Sequence, residues 1–315
     1  MLFRRSTYRV RVVTATVVVS MLTALIAVVG PGSTGPAYAV QACPTTGVPG
    51  TDLTGWQSVH NARGVNVCRG FASGVANWTV LVQIVDLAAN AKVRIISQYA
   101  AGQLNPPPAE WKFQKRTVDN WYSWISSNIN IPGPGRLFST VNASHFTDSS
   151  SSTTTMLSLP EVTSQSIRTW GYAIYGTDRA WSAYKRKLVI GTPNALPQSV
   201  TIGSFPQHYS GSDVSTLGGS YDATVAFEPL VDDCPTCIAR RTFVGVRGST
   251  VYVLVTRNSY TPGQAQRILQ HFGSLTGIQL DGGGSTAMYS NNINARFGSI
   301  LNRAVPDVLA VYMAP

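Results

Sequence analysis

Apolar residues along this chain recur at two spacings, and the strand-like one is the commoner. Trp78 to Ala91 carries Val80, Val82, Ile84 and Leu87 in a strand-like series that ends in a turn near Asn90, and Lys92 to Ser97 begins a second strand. Leu137 to Asn142 reads as a short buried strand, and Thr242–Val246 with Val251–Thr256 as a hairpin around Gly248. Between Trp170 and Val231 strand-like runs alternate with Gly, Pro and Asn turns, and Ile278–Leu280, Ala287–Tyr289 and Val308–Tyr312 supply the last strands. Two segments have helical spacing. Trp111 to Ile125 repeats Trp111, Val118, Tyr122 and Ile125. Thr261 to Phe272 sets Ala265, Ile268, Leu269 and Phe272 on one face, with Pro262 at an early position and Gly273 placed to cap the end. The pattern predicts an α+β protein with a mixed, strand-rich sheet core and a few packed helices.

The N-terminus follows a different rule. Arg4, Arg5, Arg9 and Arg11 precede an apolar stretch from Val12 to Val29, and a Gly/Pro/Ser-rich spacer then ends in Ala37-Tyr38-Ala39. Basic head, apolar middle and small-x-small site are the order of a signal peptide, so residues 1–39 are expected to be removed near Ala39 and the protein secreted. No stable membrane span is then expected in the mature chain; an uncleaved anchor is the alternative. Residues 40–74 read as a loop-rich, disulfide-stapled extension, and 75–315 as the main domain.

Charge and cysteines sharpen this reading. The formal net charge of +10 falls to +6 without the four leader arginines. A mildly basic exported protein suits an anionic glycan or phosphate ester, although solubility alone also explains the charge. Nothing resembles a nucleic-acid motif. Four cysteines allow three pairings, of which Cys43 with Cys68 and Cys234 with Cys237 is the most economical in an oxidising compartment. No cluster has clear metal-ligand spacing, Asp232-Asp233 being too slight to assert calcium, and no cofactor is expected. Oligomeric state has no signature.

The candidate chemistry sits after a short apolar strand, Gly277 to Leu280, which delivers Asp281 to Gly282-Gly283-Gly284-Ser285-Thr286. Consecutive glycines adopt backbone angles closed to other residues and let a ligand approach the main chain. Their N–H groups are expected to form an anion nest. A nucleotide-type phosphate loop needs a Lys after its last Gly, and a serine-hydrolase elbow needs Gly where Ala287 stands. Asp281 is the one carboxylate beside the run, in a chain with 14 carboxylates. Its plainer role is to cap its own turn.

The C-terminal half resembles the phosphodiester glycosidase family. The matching residues are Arg241 to Val246, the helix over 261–272, GIQLDGGGS at Gly277 to Ser285, and Arg303-Ala304-Val305-Pro306 leading into a terminal strand. Val141-Asn142-Ala143-Ser144-His145-Phe146 resembles the family's Asn-Gly-Gly-Phe-Phe segment, with Ala143, Ser144 and His145 departing from it; the Asp-Gly often found after Val255 is also missing. The resemblance extends over roughly Val75 to Tyr312, strongly over 240–312 and faintly over 150–235.

It implies a hydrolase that cleaves the anomeric C–O bond of a sugar-1-phosphodiester, in cell-wall or exopolysaccharide material. On that reading Asp281 is the catalytic carboxylate or binds sugar hydroxyls, and His145 is an acid/base or an ordinary loop histidine. Arg241 and Arg303 hold phosphate or serve as structural pairs, and Asn142 binds sugar or caps a turn. Gly282, Gly283, Gly284, Ser285 and Thr286 line the substrate. Trp170, Tyr172 and Tyr175 form a sugar-stacking platform or simply core. The alternative is a non-catalytic glycan- or wall-binding module on the same fold, favoured by the altered Asn142–Phe146 segment. A serine hydrolase built on Ser285 is a third, weaker reading, since no base is placed near it.

Overall fold

The computed structural model describes residues 40–74, 78–101, 111–129, 135–147, 152–171, 184–228, 236–291 and 303–315. The expected leader with Ala39 lies outside them, as do Tyr172, Tyr175, Asp232, Asp233 and Cys234.

In chain order the first elements are β1 (Leu53–Ala62), β2 (Val65–Ala72), β3 (Trp78–Asp86), β4 (Lys92–Ser97), β5 (Lys112–Gln114), α1 (Val118–Asn128) and β6 (Leu137–Asn142). Then come β7 (Thr154–Met156), β8 (Glu161–Thr163), β9 (Ser166–Thr169), β10 (Lys185–Ile190), β11 (Val200–Phe205), the short α2 (Gly211–Ser215) and β12 (Asp222–Phe227). The chain closes with β13 (Thr242–Arg247), β14 (Thr250–Thr256), α3 (Pro262–His271), β15 (Thr276–Gln279), β16 (Met288–Tyr289) and β17 (Asp307–Tyr312).

The main sheet has the order β1-β2-β3-β14-β13-β15-β12-β10-β11, with β8 paired to β12 and β9 paired to β8; a second sheet runs β16-β6-β17-β4. Alternate residues of a strand point to opposite faces, and that parity builds the layers. Leu81 and Val85 of β3 face the second sheet and pack with Val93, Ile95, Val141, Leu309 and Val311. Val80, Val82 and Ile84 face the other way and meet Ala265, Ile268, Leu269 and Phe272 at α3. On the far side of the second sheet, Ile96, Val308 and Ala310 pack on Val118, Trp121 and Ile125 of α1. The result is a four-layer stack: α3, main sheet, second sheet, α1. Strands covered on both faces read as nearly continuous apolar runs, as β3, β14 and β17 do.

The strand-rich character is as expected, but the sheets are not mixed. Every strand pairing among the described residues is antiparallel. Hairpins join many neighbours, and the α3 crossover returns β15 to the far edge of β13, antiparallel to it.

Two local expectations also change. Residues 40–74 are not loop-rich, because β1 and β2 extend the main sheet beside β3. The first helix begins at Val118 rather than Trp111: Lys112–Gln114 pair with β7 instead, and Trp111 packs edge-on to Tyr99. The second helix is as read, with Thr261 and Gln264 forming a capping box and Pro262 at its start. Gly273 closes it at φ 100°, a left-handed angle that favours glycine. Cys43 is bonded to the buried Cys68, and Cys237 is also in a disulfide. Among the described residues no helix is long and apolar enough to cross a membrane.

Candidate active site

Strands β6 and β15 end where β13 and β17 begin, and the candidate residues gather at this end of the stack. β15 is buried through Gly277, Ile278 and Gln279, so its apolar run carries Asp281 out of the core as the chain turns. Gly283–Ser285 then form one 3-10 turn. Gly283 has φ 59°, and a Cβ on Gly282 would lie 2.9 Å from the Arg240 carbonyl oxygen. Backbone angle and close approach both account for the glycines here.

Two of the three glycine amides of the expected anion nest are bonded within the chain. Gly282 N–H donates to Asp281 Oδ1 at 3.0 Å, Gly283 N–H to the Arg240 carbonyl at 2.9 Å, and Ser285 N–H to the Gly282 carbonyl at 3.1 Å. These amides satisfy the chain itself. Asp281 Oδ2, Ser285 Oγ and Thr286 Oγ1 are buried and have no hydrogen-bond partner among the described residues. Buried polar atoms are normally satisfied, so three in one six-residue loop mark a place built for polar contact.

Two predicted residues stand beside this loop. His145 Nδ1 lies 3.5 Å from Asp281 Oδ1, both side chains being mostly buried, and its ring rests on Phe227 at a centroid distance of 4.6 Å. The guanidinium of Arg303 lies over the Phe146 ring at 4.8 Å, and its Nη1 is 3.6 Å from where a Cβ on Gly284 would sit. Thus Asp281, His145, Ser285, Thr286 and Arg303 share one neighbourhood.

Two other predicted binders are spent on the scaffold. Arg241 is 5% exposed; its Nε donates to the Tyr260 carbonyl at 3.1 Å and its Nη2 to the Cys237 carbonyl at 2.6 Å. Its main chain passes close to Gly282, but its guanidinium ties down the 237–260 connection. Asn142 is fully buried: its Nδ2 donates to the Asp281 carbonyl at 2.6 Å, while Oδ1 accepts from Thr242 Oγ1 at 2.9 Å and Ala287 N–H at 3.0 Å. It therefore holds the loop rather than meeting a sugar. Trp170 packs against Gly211, where a Cβ would lie 3.0 Å from its ring, away from any platform the described residues form.

A pair of carboxyl groups adjoins this site without having been singled out in the sequence. Glu161 and Asp307 are fully buried and hydrogen-bonded to each other. Burial pushes Glu161 well above the usual carboxylate range, and the neighbouring Asp307 raises it further. Asp307 is also raised by burial, but bonds from Glu161 and Ser144 oppose the shift. The pair as a whole therefore resists ionising both carboxyls at once. Ser144 spans the pair: its N–H lies 3.0 and 3.1 Å from the two Asp307 oxygens, and its Oγ lies 3.3 Å from Glu161 Oε2. The available signal was Asp307 itself, a carboxylate opening an otherwise apolar strand; Glu161 had no neighbour in sequence to reveal it. A cavity of about 300 Å³ meets this network at Ser97 and Arg168, rather than at Asp281. Among the described residues no group of acidic, His or Cys side chains is arranged to hold a metal.

Residues 219–312 match the family described as phosphodiester glycosidase, and the match ends at Tyr312, where the motif series ends. The resemblance seen in the sequence is thereby shown over its C-terminal motifs, while the Val141–Phe146 segment lies outside the match. Among solved structures, the catalytic domain of zebrafish N-acetylglucosamine-1-phosphodiester alpha-N-acetylglucosaminidase, auto-inhibited by its pro-peptide, is 12% identical, with a TM-score of 0.50 over 82% of this chain and 87% of that one. That likeness is one of fold. A hypothetical protein from Synechocystis is 11% identical with a TM-score of 0.49; the match covers 82% of this chain and 64% of that longer one. No curated protein matches the sequence.

Proposed function

We propose that this chain is a secreted hydrolase that cleaves the anomeric C–O bond of a sugar-1-phosphodiester. The observation that carries the reading is the Asp281 carboxylate: mostly buried, facing His145, with a buried Oδ2 unpartnered among the described residues, and followed by two unpartnered hydroxyls. Breaking the anomeric bond expels a phosphate monoester, whose second pKa is about 6, so the leaving group needs anion stabilisation more than a strong acid. Arg303 is the cation at the loop, and the Ser285 and Thr286 hydroxyls are donors beside it. On the sugar side, Asp281 stabilises the oxocarbenium character, attacks it or activates the water that does, and His145 moves the proton. The Cys43–Cys68 disulfide suits export, and the basic mature chain suits an anionic wall or exopolysaccharide polymer.

One observation favours the second reading, a glycan-binding module: the Gly282 and Gly283 amides are bonded within the chain and the Arg241 guanidinium is bonded to the Tyr260 and Cys237 carbonyls, which takes donors from the phosphate cradle. The two are separated by incubating the protein with a panel of sugar-1-phosphodiesters in ¹⁸O-labelled water. Hydrolysis at the anomeric carbon releases reducing sugar and a phosphate monoester, with the label on the sugar. Label on the phosphate contradicts the proposed bond cleavage, and binding without release supports the module.

A further inference from the structure

We propose that Glu161 and Asp307 are a positioning pair: joined carboxyl to carboxyl, they clamp Ser144 and thereby hold His145 against Asp281. The catalytic consequence rests on the hydrolytic reading above; the clamp itself does not.

The clamp is built residue by residue. Asn142 is fixed to the Asp281 carbonyl, and the Ala143 carbonyl accepts the Asp281 N–H at 2.9 Å. Ser144 follows, with its N–H on Asp307 and its hydroxyl between Glu161 and Thr224 Oγ1, the latter at 2.8 Å. The His145 carbonyl accepts from Ser158 N–H at 2.8 Å. Every residue from 142 to 145 is therefore anchored through main chain or side chain, and the imidazole is aimed at Asp281 Oδ1. Glu161 is itself held by Ser97, whose Oγ donates to Oε1 at 2.6 Å.

This arrangement works with one proton between the two carboxyls. With both ionised, two adjacent buried charges would repel. The charged and titratable groups that act on the pair are Arg168 and Tyr99 on the Glu161 side and Asp281 on the Asp307 side. Arg168 is the cation among these, and its charge opposes the rise on Glu161. Once that proton is lost, the two carboxylates push apart across Ser144, which is bonded to both, and His145 moves with it.

Glu161→Gln tests the idea with little change of shape, since an amide donates permanently to Asp307. The readouts are the pH profiles of kcat and KM for the hydrolysis, and ¹⁵N NMR of the His145 ring without substrate, assigned by His145→Gln. In the wild-type protein kcat falls on the alkaline side while KM stays within about twofold, and the Nδ1–H signal is lost in the same pH range; in Glu161→Gln both alkaline changes disappear. Glu161→Leu, which removes the donor, lowers kcat roughly ten- to a hundredfold at neutral pH through misplacement of His145. Identical alkaline behaviour of the His145 signal in wild-type and Glu161→Gln protein overturns the proposal, whatever the activity. If the wild-type protein cleaves no sugar-1-phosphodiester, the hydrolytic reading fails, and the NMR comparison still decides the clamp.

Discussion

The side-chain amide of Asn142 donates a 2.6 Å hydrogen bond to the main-chain carbonyl of Asp281, across 139 positions of sequence. Asn142 closes a strand of the second sheet and Asp281 leaves a strand of the main sheet, so this bond joins the two sheets at the site. With Thr242 and Ala287 on its Oδ1, Asn142 fixes the exit of the loop in three directions. Asn142→Ala leaves buried donors and an acceptor without partners and should cost about 3 kcal/mol of stability. Chemical denaturation measures it. A cost near zero would mean that the loop is held by something else.

The two arginines singled out in the sequence should separate cleanly. Arg303→Ala removes the cation at the loop and should raise KM roughly tenfold, with stability little changed. Arg241→Ala frees two buried carbonyls and should lower stability by about 2 kcal/mol, with KM unchanged in the protein that remains folded. Steady-state kinetics beside thermal melts distinguish them; a reversed pattern would return phosphate binding to Arg241.

Stability should depend on pH through Glu161. Its pKa is raised on folding, so its contribution is fully present below the unfolded carboxylate pKa and is lost as pH rises through the folded value. Wild-type stability should therefore decline as pH rises from the unfolded carboxylate value to the folded one, and Glu161→Gln should show a flatter profile. Denaturant midpoints across a pH series check this.

Replacing Cys43 and Cys68 by Ser together should cost about 3 kcal/mol, because the bond closes a loop between residues 25 apart in sequence. Thermal melts of the double variant beside the wild type, both kept oxidised, measure it.

Much of the fold was legible where pattern and layer agree. β4, β6 and the β13–β14 hairpin lie where their apolar runs put them, because strands buried on both faces show continuous hydrophobicity. The capped helix α3 was equally plain, since Thr261, Pro262 and Gly273 act locally. Less legible was the start of α1, where pairing of Lys112–Gln114 with a strand some forty residues away overrode the helical spacing. At the site, Asp281, His145 and Arg303 came from motif order, and the structure brings them to one loop. The roles of Asn142 and Arg241 did not come through, because a residue's type does not reveal whether its hydrogen bonds are already spent. Glu161 and Asp307 form their pair only across β8 and β17, and no local spacing encodes that contact.

The most direct test of the central claim is Asp281→Asn, assayed for release of free sugar from a sugar-1-phosphodiester that the wild-type protein cleaves. Asparagine keeps the size of the side chain and an oxygen for the Gly282 N–H, so melting behaviour should be nearly unchanged while kcat falls by roughly two to four orders of magnitude. Wild-type turnover in a folded Asp281→Asn protein would contradict the account and move the chemistry away from this loop.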